Sequence, residues 1–488
     1  MRRSDRRPLR GPVPAAGPGR RQAGLLRRHA GRPRIDLPRR LAALRHARRP
    51  PLRPDPVSDP GGRAGARRPR PGPAARARAC PHAGRLTANP ARDRDRAPAR
   101  GRDRRPGRRA MTATIEQATP ADIADLRQLY YAVYGPHYPT ALGTDPAEMS
   151  RLIQDAHTLW FVARCPRTGA LAGSAAIHSE AGSRVGRLEG LAVHPDQRGT
   201  GLAGQLTEAL CAGTLDAGVL DSVYATVRTV SAGPQRVVTR NGFRPLGILP
   251  NAVELSSRES LALYARHSPG VLDRRVPVAE VPASLLPLLR TAEASLDISY
   301  ADTRPTPSPP TPTGSAPAPL EIIDAPAFVR RRFRAQFPDS GRWFYPLHTP
   351  NILLTPEDGS FEVYAYLNRT GGYCALVTAH PDPAAAVGWL EPVTRTLTRA
   401  GAGYVEALVP LEQHAALSAF AAQGFIAGAL YPAMRRDGDG FHDYVVMSRT
   451  TEHIDFRGVV VDPPLQPFLD SYVSAWASTH LPVREVAS

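Results

Sequence analysis

A glycine-rich segment holds the residues of this chain that are best suited to binding a phosphate group. It contains, in order, Gln197, Arg198, Gly199, Thr200, Gly201, Leu202, Ala203 and Gly204. Apolar residues then recur at helical spacing from Leu206, so the segment stands where a helix begins. The first amides of a helix have no partner within it and carry the positive end of its dipole. Small residues let a diphosphate approach such amides closely, and Arg198-x-x-Gly201-x-Ala203 therefore predicts a pyrophosphate site.

The element before this segment is predicted to be a buried strand. The apolar run from Leu188 to Val193 is typical of one, and His194-Pro195-Asp196 ends it because proline cannot donate to a ladder. The order is therefore strand, glycine loop (Gln197–Gly204), helix. A Walker loop would need Gly-Lys-Ser/Thr, and a dinucleotide fingerprint would need Gly-x-Gly-x-x-Gly with a later acid. Neither spacing is present.

These residues resemble a known family. The strand Leu191-Ala192-Val193, followed by His194-Pro195 and the glycine loop, is similar to the acyl-CoA loop of the GNAT N-acetyltransferases. The resemblance covers residues 112–265 and implies an α/β fold with a mixed central sheet flanked by helices. It implies acetyl-CoA as co-substrate, with the loop on its pyrophosphate. The backbone of Leu191, Ala192 and Val193 would then hydrogen-bond the pantetheine arm as an added strand does.

An acyl-CoA loop without a nucleophile suggests direct attack of an amine on the thioester, assisted by a base. Glu189 is the candidate base, because it lies on the loop strand, on the same face as Leu191, where some family members keep a carboxylate. An ion pair with Arg184 or Arg187 is the alternative role. Cys211 has no histidine nearby in sequence, so Cys/His catalysis is disfavoured, and a core thiol is the simplest reading.

The group that protonates the leaving thiolate is less clear from the sequence. Tyr224 on the following strand is the candidate, with Tyr134 and Tyr138 as alternatives, although a strand tyrosine is more often a core residue. Family members often carry a tyrosine five residues before the phenylalanine that corresponds to Phe243. This chain has Val238 there, so the family's usual acid is missing.

Composition divides the chain sharply. The chain has 488 residues and a net charge of +19. Residues 1–110 contain 33 Arg and 7 Asp, a net charge of +26, and no Phe, Tyr or Trp. The net charge of the remaining residues is therefore −7. Such a segment cannot bury enough apolar area to offset chain entropy and is predicted to be disordered. It could be a nucleic-acid arm or a targeting extension. The favoured interpretation is sequence upstream of a true start at Met111, and this interpretation argues against a nucleic-acid partner.

Other classes are disfavoured by what the sequence does not contain. The four cysteines lie far apart without a CxxC pair, and His137 and His178 have no evident metal partners, so no metal site is predicted. No apolar run reaches the ~20 residues of a membrane helix, and the N-terminus has no apolar signal region. A cytoplasmic protein without a membrane partner is expected.

The predicted domains follow these shifts in composition. Residues 1–110 form the extension, 111–265 the GNAT acyl-CoA-binding catalytic domain, 266–318 a helix and a proline-rich linker, and 319–488 a second domain. Gly424-Phe425 after a predicted helix echoes Gly242-Phe243, which indicates a degenerate GNAT-like copy and hence a tandem. That copy lacks Arg-x-x-Gly-x-Gly, so its expected duties are packing, closing the cleft or pairing subunits in a homodimer.

The sequence therefore favours an acetyl-CoA-dependent N-acetyltransferase acting on a small-molecule amine. A non-catalytic GNAT-like acyl-CoA sensor or scaffold is the first alternative. A protein- or nucleic-acid-associated acetyltransferase is the second, and it depends on the arginine-rich extension.

Overall fold

The computed structural model describes residues 113–136, 138, 140–255, 257–307, 319–338, 348–383 and 387–481. These residues lie within one unit, Arg40–Ser488. The predictions of disorder for residues 1–110 and of an isolated His137 fall outside the described residues. So does most of the predicted proline-rich linker.

The first half of the described chain is an α/β layer with helices on both faces of a mixed sheet. Its strands are β1 Thr114–Gln117, β2 Thr158–Arg164, β3 Leu171–Ser179, β4 Val185–Val193, β5 Ser222–Arg228, β6 Arg244–Glu254 and β7 Arg258–His267. Its helices are α1 Ile123–Tyr134, α2 Ala141–Thr144, α3 Pro146–Gln154, α4 Leu202–Thr214 and α5 Ala232–Arg240. The predicted α/β fold with a mixed sheet is confirmed.

Each face of this half-sheet buries an apolar stripe of helix. On one face α4 packs Leu206, Leu210 and Cys211 against β2 and β3, and Cys211 is the core thiol that the sequence predicts. On the other face α1 and α3 bury Leu126 and Met149 against Trp160. Each helix has one apolar face, which packs on the apolar strands. Strand β4 therefore lies between two layers of helices.

The middle segment joins the halves through short elements. They are β8 Glu280–Pro282, α6 Leu286–Leu296 and β9 Arg304–Thr306, and β8 pairs with β9 in parallel. The helix predicted after residue 282 is confirmed. Pro305, predicted to begin an extended linker, instead lies in β9, where a strand at the edge of a two-stranded sheet needs no N–H from it.

The second half repeats the alternation of strands and helices. Its strands are β10 Leu320–Ile323, β11 Ile352–Pro356, β12 Glu362–Asn368, β13 Tyr373–His380, β14 Tyr404–Pro410, β15 Ile426–Asp437 and β16 Gly440–Thr450. Its helices are α7 Pro326–Gln336, α8 Leu390–Arg399, α9 His414–Ala422 and α10 Gln466–His480. Helix α8 begins two residues before Pro392, because a proline fits only the first turn of a helix.

All the strands except β8 and β9 form one 14-stranded sheet. Its order is β1-β2-β3-β4-β5-β7-β6-β15-β16-β14-β13-β12-β11-β10. Neighbours are antiparallel except for β4 with β5 and β13 with β14. The second half thus has the same strand order and the same single parallel pair as the first, counted from the opposite edge of the sheet.

Candidate functional site

Strands β4 and β5 separate after a short stretch of parallel pairing. The pairing ends at Arg187 and Tyr224, after which β4 pairs with β3 and β5 pairs with β7 along its length. We call the opening the β4–β5 gap, lined by 188–193 of β4 and 225–228 of β5. The N–H of His194 donates to the carbonyl of Ala172 in β3 (2.9 Å). Because the backbone groups of successive strand residues point to opposite sides, the N–H and C=O of Val193 point away from β3 and into the gap. An extended ligand can pair with these groups.

A β-bulge lies in the middle of the gap. Glu189 pairs with Ala176 and Ala192 with Ser174, so Gly190 and Leu191 together face one residue of β3. Gly190 has φ +64°, and the hydroxyl of Tyr130 lies 2.5 Å from the position that a Cβ would take. Only glycine meets both demands.

Helix α1 supplies the partners of the bulge carbonyls. The Tyr130 hydroxyl donates to the carbonyl of Gly190, and the Tyr134 hydroxyl donates to that of Leu191, each at 2.8 Å. Tyr138 packs on both rings, with centroids 5.1 Å from Tyr130 and 4.8 Å from Tyr134. The family-derived expectation that Leu191 uses its backbone on pantetheine therefore applies to its N–H, because its carbonyl already has a partner.

The glycine loop lies at the carboxyl end of β4 and leads into α4. Gly199 and Gly201 have φ +79° and +84°, and no atom lies within 4 Å of a Cβ added at either. Thr200 closes the loop by donating from its hydroxyl to the carbonyl of Gln197 (2.7 Å). Gly201 is the N-cap residue and brings no side chain, so the amides of 202–204 are open to an anion.

The loop leaves open space beside the N-terminus of α4. Gly199 and Gly201 are exposed and open, and the exposed side chain of Arg198 stands beside them. The predicted loop residues, Gln197 to Gly204, are therefore held together at one helix N-terminus. The helix has 13 residues, long enough for a sizeable dipole.

Glu189 and Arg187 share one face of β4 beside the gap. The Nε atom of Arg187 lies 3.8 Å from an Oε atom of Glu189, and the two side chains are 27% and 17% exposed. The carboxylate makes no hydrogen bond within the described chain. Arg184, the other expected partner, instead bonds to Asp221 (2.8 Å). Glu189 therefore stands at the gap with lone pairs available.

Tyr224 lies directly opposite Arg187 across the last pair of β4 and β5. Its side chain is buried, and its ring meets that of Tyr431 edge to face at 6.2 Å between centroids. Burial raises the pKa of Tyr224 above its ordinary value of 10, so the hydroxyl keeps its proton at neutral pH. Burial likewise raises the pKa of Tyr134 and Tyr138.

The second half contributes side chains next to this face. Tyr431 of β15 donates to the hydroxyl of Ser222 at the start of β5 (2.9 Å). Tyr373 of β13 lies within electrostatic range of Arg187, and Glu406 of β14 within that of Tyr224. Tyr373 itself donates to Glu406 (2.6 Å). β13 and β14 also contact β6, although neither is hydrogen-bonded to it, so the continuous sheet curves back on itself.

Several sequence candidates lie away from the gap or have other partners. Val238, at the place of the family's tyrosine, is buried in the core. The Nδ1 atom of His178 lies 2.7 Å from the hydroxyl oxygen of Thr158. Within the described residues no three His, Cys, Asp or Glu side chains gather as a metal site, and no described helix is long and apolar enough to cross a membrane.

Sequence reasoning named Arg187 only as a possible ion-pair partner of Glu189, and it missed the contribution of the second half. The signal for Arg187 was present, because Arg187 and Glu189 are the only ionisable residues of the apolar strand Val185–Val193 and lie on one face of it. The approach of Tyr373 and Glu406 depends on sheet curvature, which has no local sequence signal.

Comparisons with known proteins agree on the first half of the chain. Residues 123–243 match the model of the acetyltransferase (GNAT) family. No curated protein matches the chain. Similar solved structures include a GNAT-family acetyltransferase from Streptococcus pneumoniae, with 16% identity over 32% of this chain and 99% of that one (TM-score 0.29).

Two further structures have similar coverage. An N-acetyltransferase from Staphylococcus aureus shares 19% identity over 32% of this chain and 98% of its own (TM-score 0.29). An acetyltransferase from Salmonella typhimurium, solved with its cofactor acetyl-CoA, shares 17% identity over 32% of this chain and 94% of its own (TM-score 0.29).

Proposed function

Because residues 123–243 match the model of the acetyltransferase (GNAT) family, we propose that the chain transfers an acetyl group from acetyl-CoA to the amine of a small molecule. The observation that carries the proposal is the β4–β5 gap, which leads to the open amides of α4. A flexible arm that ends in a diphosphate needs both features in that order. The gap offers backbone groups to the arm, and the helix N-terminus offers positive charge to the diphosphate.

In this proposal the predicted cofactor residues form two groups, and each group binds a different part of acetyl-CoA. Leu191, Ala192 and Val193 form the edge on which the arm pairs. The diphosphate is bound by the glycine loop (Gln197–Gly204). The open space at Gly199 and Gly201 supports this, because a Cβ there would project into the volume that the diphosphate requires.

The reaction itself needs a base, an acid and a closed space. The amine nitrogen attacks the thioester carbonyl carbon, the C–S bond breaks, and the nitrogen loses its proton to the carboxylate of Glu189. The thiolate takes a proton, so that an amide and free coenzyme thiol result. Glu189 supports this role by lying at the gap with no hydrogen bond to its carboxylate in the described chain.

Tyr224 is our proposed acid for the thiolate. Its hydroxyl stays protonated at neutral pH and lies where β4 and β5 part. Tyr134 is the second candidate, because it reaches the carbonyl of Leu191 inside the gap. Either tyrosine would replace the acid that Val238 removes.

One observation favours a different function. Val238 is buried where related enzymes often place their acid, so a protein that binds acyl-CoA without turnover is the second candidate. The nucleic-acid alternative depends on residues outside the described part of the chain and has no such support.

We also propose that the second half is a degenerate GNAT-like module. Its strand order and its single parallel pair, β13 with β14, repeat those of the first half. The segment after β13 has no Arg-x-x-Gly-x-Gly, so we do not assign it a diphosphate. Its proposed duty is to close the acceptor side of the β4–β5 gap through Tyr373 and Tyr431.

The test uses the full chain and two substitutions of glycine. Gly201→Glu places a carboxylate and a side chain where the diphosphate would bind, and titration calorimetry should show loss of acetyl-CoA binding. Gly182→Glu is the matched control, because Gly182 has a similar φ of +81° and equally open space, but lies in the turn before β4. Equal affinity of the two variants would refute the assignment of the loop.

Turnover separates the enzyme from the sensor. Thiol release with a panel of amines should be detectable in the wild type and fall by about 100-fold or more in Glu189→Gln, within the range attributed to general bases. Tight binding of acetyl-CoA without thiol release for any amine would instead favour the non-catalytic reading.

A further inference from the structure

Arg187 has unused hydrogen-bonding capacity beside the proposed site. A guanidinium carries five N–H donors, yet in the described chain this one has a single ionic contact, with Glu189 at 3.8 Å. Its Nε atom is inaccessible and without a hydrogen-bond partner. Buried donors are normally paired, so unfilled donors at a cleft indicate a ligand.

Other arginines of this half of the chain show what a satisfied guanidinium looks like here. Arg228 makes two hydrogen bonds to Glu259, at 2.6 and 2.5 Å. Arg184 bonds to Asp221 and to the carbonyl of Gly218. Arg187 is thus exceptional among arginines on and next to β4 and β5, and its position is fixed by the strand rather than by an acidic partner.

The strand neighbours of Arg187 are polar, and within the described chain Glu189 is the acidic residue in ionic contact with it. Across the sheet Arg187 stands between His178 and Tyr224, and burial lowers the pKa of His178, which keeps that ring neutral. Tyr138 and Tyr373 lie within electrostatic range. Hydroxyls and a neutral ring can orient an anion without competing for the guanidinium.

We propose that the acceptor amine carries a carboxylate, as an amino acid does, and that Arg187 binds this carboxylate while Glu189 receives the proton of the amine. The inference rests on the proposed transfer at the β4–β5 gap. Arg187 and Glu189 are two residues apart on one strand face, so a molecule with a cation and an anion close together meets both. Binding replaces one long ion pair by two charge-assisted contacts.

The test compares each acceptor with its own amide. The twenty standard amino acids and the matching amino acid amides keep the same amine and differ in the negative charge. Wild type should prefer acids, and Arg187→Gln should lower the ratio of kcat/KM for acids to kcat/KM for the matching amides by about 10- to 100-fold, mainly through KM for the acids. Arg187→Lys keeps the positive charge but loses the two parallel donors of the guanidinium. Its preference for acids should lie between those of the wild type and Arg187→Gln.

Arg184→Gln is the control, since it removes a positive charge near the same strand without touching the proposed pocket. Thermal unfolding of each variant first establishes that it folds. Turnover of amides and amines without preference for acids, or an Arg187→Gln enzyme with the acid preference intact, would overturn the proposal.

Failure of the proposed function gives a different pattern. If no amine is acetylated by the wild type, thermal stabilisation by amino acids in the presence of coenzyme A becomes the readout. Stabilisation by acids but not by amides, lost in Arg187→Gln, would support an anion site without transfer. No difference between acids and amides in this assay would reject the site.

Discussion

Gly190 shows how one residue constrains the geometry of the gap. Its positive φ makes room for the bulge, and its missing side chain makes room for the hydroxyl of Tyr130. A residue with a Cβ would be strained in backbone and would also displace Tyr130 or Leu142. The bulge then turns Leu191 and Val193 relative to Glu189, so the face of β4 that we propose to be reactive depends on the backbone at Gly190.

Gly190→Ala should destabilise the fold more than an alanine at an open glycine does. The left-handed backbone costs roughly 1 to 2 kcal/mol for alanine at either position. At Gly190 the clash with Tyr130 and Leu142 should add roughly 1 to 3 kcal/mol. Denaturant unfolding of Gly190→Ala beside Gly182→Ala, whose φ is +81° in open space, isolates the second contribution. Equal losses in the two variants would contradict the packing account.

Helix α1 is hydrogen-bonded to β4 through two tyrosines that lie four residues apart. The spacing puts Tyr130 and Tyr134 on one helix face, over two successive carbonyls of the bulge. Tyr131, one residue along, points away and is 67% exposed. The same helix therefore offers a tyrosine that bonds to the bulge, Tyr130, and an exposed one, Tyr131, for comparison.

Tyr130→Phe should cost about 1 to 3 kcal/mol of unfolding free energy, because the carbonyl of Gly190 would be left buried without its donor. Tyr131→Phe should be neutral within about 0.5 kcal/mol. Chemical denaturation of both variants and of the wild type makes the comparison. A Tyr130→Phe protein as stable as Tyr131→Phe would show that water or another donor replaces the hydroxyl.

Elements marked by a periodic apolar pattern or by turn residues were predictable from the sequence. Strands whose position depends on pairing with residues far away in the chain were not. Helix α4 has an apolar period of its own, and the glycine loop marks where it begins. Strands β7, β15 and β16 were not predicted. Their place in the sheet is set by neighbours far away in the chain. At the site, the loop and Glu189 followed from motif and spacing, but the bulge and the approach of Tyr373 are tertiary.

The two halves of the described chain meet at a close approach of two backbones. β6 meets β15 at Gly247 and Ala429, and a Cβ on Gly247 would lie 2.2 Å from the carbonyl oxygen of Gly428. Side chains add to this joint. His267 of β7 bonds through Nε2 to the carbonyl of Pro432 in β15 (2.9 Å), and its ring meets that of Tyr431 edge to face.

His267 should make the fold sensitive to acid. Burial lowers its pKa from 6.5 to about 4, so the unfolded chain takes up this proton before the folded one does. The stabilisation is complete above about pH 6.5 and is lost as the pH falls towards 4, by about 2 kcal/mol at pH 5. In His267→Gln the loss of stability between pH 7.5 and pH 5 should shrink by that amount.

Denaturant titrations at the two pH values measure this difference directly. The variant keeps a donor for the carbonyl of Pro432, so its stability at pH 7.5 serves as the internal reference. A variant with the same pH dependence as the wild type would assign the acid sensitivity to other groups.

The joint between β6 and β15 also has a consequence for how the chain is made. The ribosome completes β6 long before β15 exists, since Gly247 and Ala429 lie far apart in sequence. During that interval β6 is an unpaired edge, and such edges associate with other chains. Nascent chains arrested after His267 should therefore self-associate more than chains arrested after Thr450, which sedimentation of stalled complexes can check. The second half would then protect the first during synthesis as well as cover its site.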